Sequence, residues 1–200
     1  MFEKFIQQID SKGKLTMEEL AYLRENSKIR FCKKGDEILR AGKIVKKIYF
    51  VLDGCVRLFY NVDGKDKTAF FYKEGDFIWA NKSLRHNIPT QKNYEAIEDT
   101  TLVQIDKQIA FDFIESSRNF DSITRNYKDQ ELIAYQHLIA HFITLSPEGR
   151  FLHLIETNKS LIQRVPQHYI ASYLGVSAET LCRIKRRVYE KEREAIFLNN

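Results

Sequence analysis

The pattern of hydrophobic and polar positions changes near residue 106. From about Lys28 to Asp106, short apolar runs are separated by glycines at intervals of about ten residues, which is typical of an all-β sandwich or roll. The runs at 48–54 and 55–64 predict consecutive strands. Asp63-Gly64 then falls at a tight hairpin turn, where a positive φ is required. The next run, KTAFFYKEGD, predicts a further strand that ends at a second acidic-glycine turn.

The segment from Lys107 to about Leu145 contains no proline, and its apolar positions follow one period of 3.6 residues. This pattern predicts a single long helix. Its second part carries two stripes. One contains Ile123, Tyr127, Gln130, Ala134, His137 and His141, and the other contains Leu132, Tyr135, Ile139 and Phe142. A helix that is apolar on two sides needs two partners, and the simplest pair is the β domain and a second copy of the chain. The alternative is a plain core helix of one domain.

The C-terminal part predicts further helices. An amphipathic pattern extends from Gly149 to about Asn158, and Val165-Pro166 then starts another helix. That helix, from Gln167 to Leu174, stops at Gly175, and Ser177 stands at the N-cap of the next one. The apolar residues that would lock the two helices across the turn are Ile170, Leu174, Val176, Leu181 and Ile184, with small Ala171 at the close approach. This pattern favours a helix-turn-helix over a solvated basic surface.

The same packing predicts the outward face of the second helix. With Leu181, Ile184 and Val188 turned inward, the outward residues are Ala178, Glu179, Cys182, Arg183 and Arg186, flanked by Thr180, Lys185 and Arg187. Arginine reads a guanine edge with two hydrogen bonds, and glutamate accepts a hydrogen bond from a cytosine amino group. The flanking cations would neutralise phosphates. The face therefore suits the major groove of DNA.

Composition adds few constraints. The 200 residues are 44% hydrophobic, and the formal charge of +5 matters only where the cations are concentrated. The sequence has no apolar run of the length that a membrane span needs, about 18 residues, and no signal-peptide pattern at its start, so we expect a cytoplasmic protein that does not contact membranes.

The cysteines and histidines do not predict a cofactor. Cys32, Cys55 and Cys182 lie far apart without CxxC spacing, so we expect incidental thiols rather than a disulfide framework or a metal site. His137 and His141 have the i, i+4 spacing of metal ligands, but the sequence shows no evident third ligand.

The segment from Ile170 to Arg187 resembles the C-terminal helix-turn-helix of the Crp/Fnr family of bacterial transcription regulators. The resemblance covers about residues 20–190, because that family also has an N-terminal β-roll of the cyclic nucleotide-binding type and a long dimerisation helix. It implies an α+β fold, with a double-stranded, jelly-roll-like β-roll as its first part. The implied domains are 1–106, the β-roll with N-terminal helices; 107–145, the dimerisation helix; and 146–200, the helix-turn-helix domain.

The resemblance also assigns roles at the C-terminus. The family's recognition helix carries a Glu-Thr pair followed by an arginine three residues after the threonine, and Glu179, Thr180 and Arg183 match it. Ala178 replaces an arginine that often precedes the glutamate, which alters the expected operator. The full set of candidate DNA-binding residues is His168, Ser177, Ala178, Glu179, Thr180, Arg183, Lys185, Arg186 and Arg187. After Arg187 the sequence VYEKEREAIFLNN follows, so we expect the family's two-strand wing to be truncated or absent.

The β-roll lacks the family's ligand chemistry. EGDFI, at 74–78, resembles the strand before the phosphate-binding cassette, but Trp79-Ala80 replace the Gly-Glu pair of cyclic AMP binders. The later Arg-Ser pair aligns with Thr90-Gln91 or, after a two-residue shift, with Lys92-Asn93. A buried phosphate needs charge-assisted partners, and a lone lysine is a looser substitute than arginine. We therefore expect no cyclic AMP binding of the usual kind.

The loops of the β-roll carry candidates for binding another effector. Arg85, His86 and Lys92 are candidates for an anion site, with surface loop charges as the alternative reading. The candidate effector-binding residues are Trp79, Ala80, Arg85, Thr90, Gln91, Lys92 and Asn93. Cys32 is the only cysteine before the first predicted hairpin, which excludes an iron–sulfur sensor of the family's kind, and no feature indicates haem. No cofactor is predicted.

The sequence thus predicts a homodimeric transcription regulator, not an enzyme, that binds an inverted repeat in double-stranded DNA. The family resemblance adds RNA polymerase as an expected partner. One alternative is a cupin-like β-roll enzyme, which would need several histidines in the roll, where only His86 is found. Another is a nucleotide-binding module that docks partners, which leaves the helix-turn-helix pattern unexplained.

Overall fold

The computed structural model describes residues 1–10 and 12–198, with 192 and 194–198 described by their backbone alone. The chain forms two compact units. The first contains Met1–Tyr60 and Ala69–Ile133. The second contains Asn61–Thr68 and the chain from Ala134 onward. The tip of one β-hairpin therefore belongs to the second unit.

The first part of the chain is mostly β-structure, enclosed by helices at both ends. Its elements are α1 (Phe2–Asp10), α2 (Met17–Asn26), β1 (Ser27–Cys32), β2 (Glu37–Leu39), β3 (Lys47–Asp53), β4 (Val56–Val62), β5 (Lys65–Tyr72), β6 (Phe77–Ile78), α3 (Asn81–His86), β7 (Asn93–Ala96), β8 (Thr100–Asp106), α4 (Lys107–Ser116) and α5 (Arg118–Thr144). The strands form two four-stranded sheets, in the orders β1-β8-β3-β6 and β2-β7-β4-β5. The predicted α+β fold with a β-roll is confirmed.

Two apolar clusters hold the first unit together. One lies between the sheets and includes Val51, Leu58 and Tyr94, each from a different strand. The other joins the β1-β8-β3-β6 sheet to α1, α4 and the start of α5, with Phe50 at its centre. The predicted hairpin turn is present, because Asp63 and Gly64 both have positive φ angles, 51° and 75°.

The predicted single helix over 107–145 is wrong in one respect, because the helix is interrupted at Ser117. The backbone of Ser117 is extended, and its hydroxyl oxygen accepts a hydrogen bond from the Phe120 N–H at 2.9 Å. This is an N-cap, which satisfies one of the free donors at the start of α5. The Ser117 hydroxyl also donates to Glu19 on α2. A periodic pattern does not reveal such a break, since helices on both sides keep the same apolar face.

The two stripes of α5 have different surroundings. Ile123 is buried, and the Tyr127 ring packs edge-on against Phe77, with 4.8 Å between ring centroids. The other stripe contains Leu132 and Ile139, which are exposed despite being large and apolar, and the nearby Ile143 is exposed as well. We call these three residues the exposed seam of α5. They lie at i, i+7 and i+11, which is one face of a helix.

The second unit is helical apart from the hairpin tip. After the last part of α5 come α6 (Pro147–Thr157), α7 (Lys159–Arg164), α8 (Gln167–Tyr173) and α9 (Ala178–Leu198). The short helix α7 was not predicted. At the hairpin tip, the Thr68 N–H donates to Ser172 Oγ on α8 at 2.9 Å. The residues after Arg187, where the sequence predicts a truncated or absent wing, continue α9 as far as Leu198, and Asn199 and Asn200 lie outside the described residues. Of the described helices, none is long and apolar enough to cross a membrane.

Candidate nucleic-acid interface

The turn between α8 and α9 requires glycine. Gly175 has φ +70°, and a Cβ at this position would lie 2.8 Å from Phe142 Cε1. The chain reverses through hydrogen bonds from Gly175 N to Ser172 O (3.1 Å) and from Val176 N to Ala171 O (3.0 Å). These bonds satisfy carbonyls at the end of α8, as in a Schellman turn. The predicted stop at Gly175 is confirmed.

The apolar residues around the turn pack as their spacing predicts. Those that are buried are Ile170, Ala171, Leu174, Leu181, Ile184 and Val188, and Val176 is half-buried. They join α8 to α9, and Phe151 and Leu154 of α6 are buried as well. Because each buried side chain of this kind contributes about 1.5–3 kcal/mol, the orientation of α9 on α8 is well determined.

A short hydrogen-bonded chain organises the first turn of α9. The Ser177 Oγ accepts from the Thr180 N–H at 3.1 Å, which confirms the predicted N-cap. The Ser177 hydroxyl donates to Thr180 Oγ1 at 2.9 Å, and Arg183 Nη2 donates to the same oxygen at 3.3 Å. Three of the predicted site residues are thus brought together, and the Arg183 guanidinium is partly pre-oriented.

The outward face of α9 has the predicted composition. Ala178, Glu179, Cys182, Arg183 and Arg186 are all exposed. Arg186 Nε lies 3.8 Å from Glu190 Oε1, with 80% of the Arg186 side chain exposed. An exposed pair of this kind contributes little, so the guanidinium stays available to another partner.

The flanking cations have intramolecular partners that the sequence did not reveal. Lys185 Nζ donates to Gln167 Oε1 at 3.0 Å, and Arg187 Nη1 lies 3.2 Å from Glu148 Oε2. Lys191 also reaches Glu148, and its hydrogen bond holds the pKa of that carboxyl below its usual value. His168 lies apart from these residues on α8, exposed, with its ring 4.0 Å from the Tyr169 ring. Arg187 is thus already paired with a carboxylate of its own chain.

One residue that the sequence did not single out holds this unit together. Arg150, on α6, donates from Nε (3.2 Å) and Nη2 (3.0 Å) to Leu174 O, and from Nη1 (2.9 Å) to Leu145 O. Its guanidinium carbon lies 4.6 Å from the centroid of the Phe142 ring. Hydrophobic periodicity does not distinguish an arginine that bonds to other helices from one that is solvated. The pattern therefore did not predict these contacts of Arg150.

In the β-roll, two buried apolar residues stand at the positions that align with the family's Gly-Glu pair. Trp79 and Ala80 are each only 3% exposed. The indole packs on Phe77, with 5.4 Å between ring centroids, and Lys128 Nζ lies 4.7 Å from the Trp79 ring centroid. A buried indole cannot replace the carboxylate that would hold a ribose hydroxyl.

The later pair of candidate positions is also engaged locally. Asn93 Oδ1 accepts from the Ala41 N–H at 2.9 Å, and Thr90 Oγ1 accepts from the Lys92 N–H at 3.0 Å. Burial lowers the pKa of Lys92, and the Glu131 carboxylate on α5 opposes that shift. Arg85 and Gln91 are exposed. The nearby carboxylate makes the surroundings of Lys92 less favourable to a phosphate.

The histidines show one arrangement that spacing alone could not predict. His153, on α6, lies 4.2 Å from His141 between ring centroids, while His137 lies 6.3 Å from His141. Even so, the described residues contain no group of three or more His, Cys, Asp or Glu side chains that could hold a metal ion. Of the cysteines, Cys32 and Cys55 are buried thiols and Cys182 is an exposed one.

Comparisons with known proteins agree with this architecture. Residues 29–117 match the family described as the cyclic nucleotide-binding domain. No curated protein sequence matches the chain.

Three solved structures have a similar fold. FixK2 from Bradyrhizobium japonicum has 18% sequence identity and a TM-score of 0.72, and the match covers 83% of this chain and 86% of that one. A putative Crp/Fnr family transcriptional regulator from Eubacterium rectale has 20% identity and a TM-score of 0.71, over 88% and 85% of the two chains. The c-di-GMP responsive global regulator CLP from Xanthomonas campestris has 16% identity and a TM-score of 0.70, over 88% and 93%. The resemblance drawn from the sequence is thus confirmed: residues 29–117 match the cyclic nucleotide-binding domain family, and the chain has the fold of a Crp/Fnr family transcriptional regulator.

Proposed function

We propose that this protein is a sequence-specific DNA-binding transcription regulator that acts as a homodimer. The observation that carries the proposal is the outward face of α9, where exposed Glu179, Arg183 and Arg186 project from a helix whose opposite face is buried. A recognition helix needs this combination, because it must be held rigidly while it presents hydrogen-bonding groups to base edges. The similar folds of known regulators support the proposal.

The candidate residues divide into three roles. Arg183 and Arg186 are placed to read guanine edges and Glu179 a cytosine amino group, while Ala178 allows close approach. The hydroxyls of Ser177 and Thr180 orient the first turn of α9. The phosphate contacts are assigned to Lys185 and Arg187, which flank that face, and to His168 on α8.

The exposed seam of α5 supports the homodimer. Leu132, Ile139 and Ile143 lie on one helical face, and Ile143 is 78% exposed. A continuous apolar stripe on a surface marks an interaction site, and the same stripe on a second copy is complementary to it around a two-fold axis. The proposal keeps the sequence-based division into a β-roll (1–106), a dimerisation helix (107–145) and a DNA-binding domain (146–200).

The β-roll is proposed as a sensor that does not bind cyclic AMP in the usual way. The buried Trp79 and the hydrogen-bonded Thr90 and Asn93 support this, because they occupy the positions of the family's ligand contacts. The candidate effector-binding residues stay those predicted from the sequence. Calorimetry with purified protein is expected to show no cyclic AMP binding at micromolar or tighter affinity, and detection of such binding would refute this part of the proposal.

The proposal also includes RNA polymerase as a partner and a cytoplasmic location, as for a bacterial regulator of this fold. No described residue cluster supports the cupin-like alternative, since the described chain offers no metal-binding group. The structural neighbours named above are regulators rather than enzymes.

Selection of bound duplexes from a random DNA pool tests the proposal. The expected product is an inverted repeat whose half-site centres are about one helical turn, or 10 base pairs, apart. Repeating the selection with cell extract tests for an effector, because a ligand of the β-roll can act only through different affinities for two arrangements of the dimer. A pool that shows no enrichment, or a consensus without two-fold symmetry, would contradict the homodimeric regulator.

A further inference from the structure

Arg150 connects two helix ends that would otherwise be independent. Leu145 follows directly after α5, and Leu174 is the C-cap of α8. The carbonyls at helix C-termini lack intrahelical partners and carry partial negative charge. One guanidinium on α6 donates to both, with three hydrogen bonds of 2.9–3.2 Å. The end of α5 is therefore tied to the first helix of the helix-turn-helix.

The aromatic ring of Phe142 completes this connection. It lies under the Arg150 guanidinium, and its Cε1 is 2.8 Å from the position that a Gly175 Cβ would occupy. The ring thus fills the space beside the turn between α8 and α9. Phe142 was predicted to belong to one of the two apolar stripes of the long helix, and part of its surface contacts the turn. We call Arg150, Phe142 and Gly175 the clamp.

The clamp lies in the same compact unit as two of the three residues of the proposed dimer contact. Ile139 and Ile143 of the exposed seam belong to the second unit, together with α6, α8 and α9. If two seams meet at the two-fold axis, the distance from that axis to each recognition helix depends on how α5 holds the α8–α9 pair. Arg150 bonds both to the end of α5 and to the end of α8.

We infer that Arg150 is a positioning residue that sets the separation of the two recognition helices and thereby the half-site spacing that the dimer accepts. This inference rests on the proposed function. It assigns no base contact to Arg150, which bonds to backbone carbonyls within its own chain.

The chemistry of arginine is specific here. A guanidinium presents five donors in a planar fork and stacks on an aromatic face, whereas a lysine ammonium is a compact charge with rotatable donors. Lysine at 150 would keep the charge but could not reach both carbonyls in one orientation while covering the Phe142 ring. Arg150→Lys and Arg150→Ala should therefore change spacing selectivity in the same direction.

The first experiment measures geometry without DNA. Cys182 is exposed on the recognition helix and the other two cysteines are buried, so a thiol-specific spin label on the full chain reports on α9. Pulsed dipolar spectroscopy of the dimer should give a narrow distance distribution for wild type and a broad one for Arg150→Ala and Arg150→Lys. Arg118→Ala, which removes an exposed arginine at the start of α5, is the matched control and should leave it narrow.

The second experiment measures spacing. Wild type should prefer the selected half-site spacing over spacings changed by one or two base pairs, and Arg150→Ala should reduce that preference about tenfold, which corresponds to about 1.4 kcal/mol. Affinity for a single half-site and the preferred bases within it should stay unchanged. A purely structural role would lower all affinities in proportion to the folded fraction, which circular dichroism measures in parallel.

The outcomes separate the inference from the proposed function. A narrow distance distribution and the full spacing preference in both Arg150 variants would overturn the inference. The proposed function as a DNA-binding regulator would be unaffected. Absence of any inter-label distance or of any selected DNA in wild type would overturn the homodimeric regulator and, with it, the inference. If Arg150→Ala does not fold, Arg150→Lys and Phe142→Leu carry the same two tests, the latter removing the stacked ring while keeping the guanidinium.

Discussion

The face of α9 and the ligand positions of the β-roll differ in how they use charge. On α9, Glu179, Arg183 and Arg186 are exposed, and their geometry comes from buried apolar residues on the other side of the helix. In the roll, the positions that align with the family's ligand contacts hold a buried indole, a buried alanine, and two side chains, Thr90 and Asn93, that accept hydrogen bonds from backbone N–H groups. A groove-binding face tolerates substitution one residue at a time, whereas a buried anion site needs all of its partners together, because an unpaired buried charge is costly.

The largest expected effect comes from removing the buried Trp79 side chain in the β-roll. Trp79→Ala removes a large side chain that is 3% exposed and packed on Phe77, so we expect a loss of about 3–5 kcal/mol in the free energy of unfolding. Urea denaturation followed by circular dichroism measures it. Phe31→Ala is the control in the same unit, since that ring is largely exposed and its loss should change stability by less than about 1 kcal/mol. Equal effects would mean that the indole does not fill the site.

The turn of the helix-turn-helix should be nearly as sensitive. Gly175→Ala places a methyl group 2.8 Å from Phe142 at a φ of +70°, so we expect destabilisation of about 2–4 kcal/mol and loss of DNA binding. Gly149→Ala is a matched control, because its added Cβ would meet no atom closer than 3.5 Å. Thermal unfolding and a gel-shift assay give the two readouts. Normal binding by the Gly175 variant would show that the turn is not strained.

Single substitutions on α9 should affect binding without affecting folding. Arg183→Ala is expected to weaken binding to the selected operator by about 1–3 kcal/mol and to relax base preference at one position. Lys185→Ala should weaken binding to all DNA sequences alike. It should also reduce the slope of the logarithm of the binding constant against the logarithm of the salt concentration by about one. Fluorescence anisotropy with operator and random duplexes measures both. Equal losses on both duplexes for Arg183→Ala would contradict its base-reading role.

The smallest effect concerns a titrating group near the roll. Burial raises the pKa of Asp76 to about 6, although the Lys73 N–H donates to its carboxylate. The folded-state pKa is above the unfolded value of about 3.9. Asp76 therefore contributes stability that is fully present below about pH 3.9 and is lost as the pH rises through about 6. Asp76→Asn should thus stabilise the protein by about 1–2 kcal/mol at pH 7.5 and not at pH 4. Equal changes at both pH values would contradict the buried-carboxyl explanation.

Local patterns predicted much of the second unit. The Gly175 stop, the Ser177 cap and the inward set around Leu181 depend on interactions between residues close in sequence, for which spacing is sufficient. The contacts of Arg150, Lys185 and Arg187 could not be predicted in this way, because each joins helices that only packing brings together. The break at Ser117 was missed for a related reason, since α4 and α5 keep one apolar period across it.

The sequence by itself determined the β-roll, the long amphipathic helix segment and the helix-turn-helix, with Arg183 and Arg186 on its outward face. Periodicity, glycine turns and caps are short-range effects, and a chain carries them whatever its neighbours are. Only the tertiary structure decided that Trp79 fills the roll, that the exposed seam stays uncovered within one chain, and that Arg150 ties α5 to α8. Those outcomes depend on which distant residues meet, and side-chain burial and hydrogen bonds between helices exist only after the chain has packed.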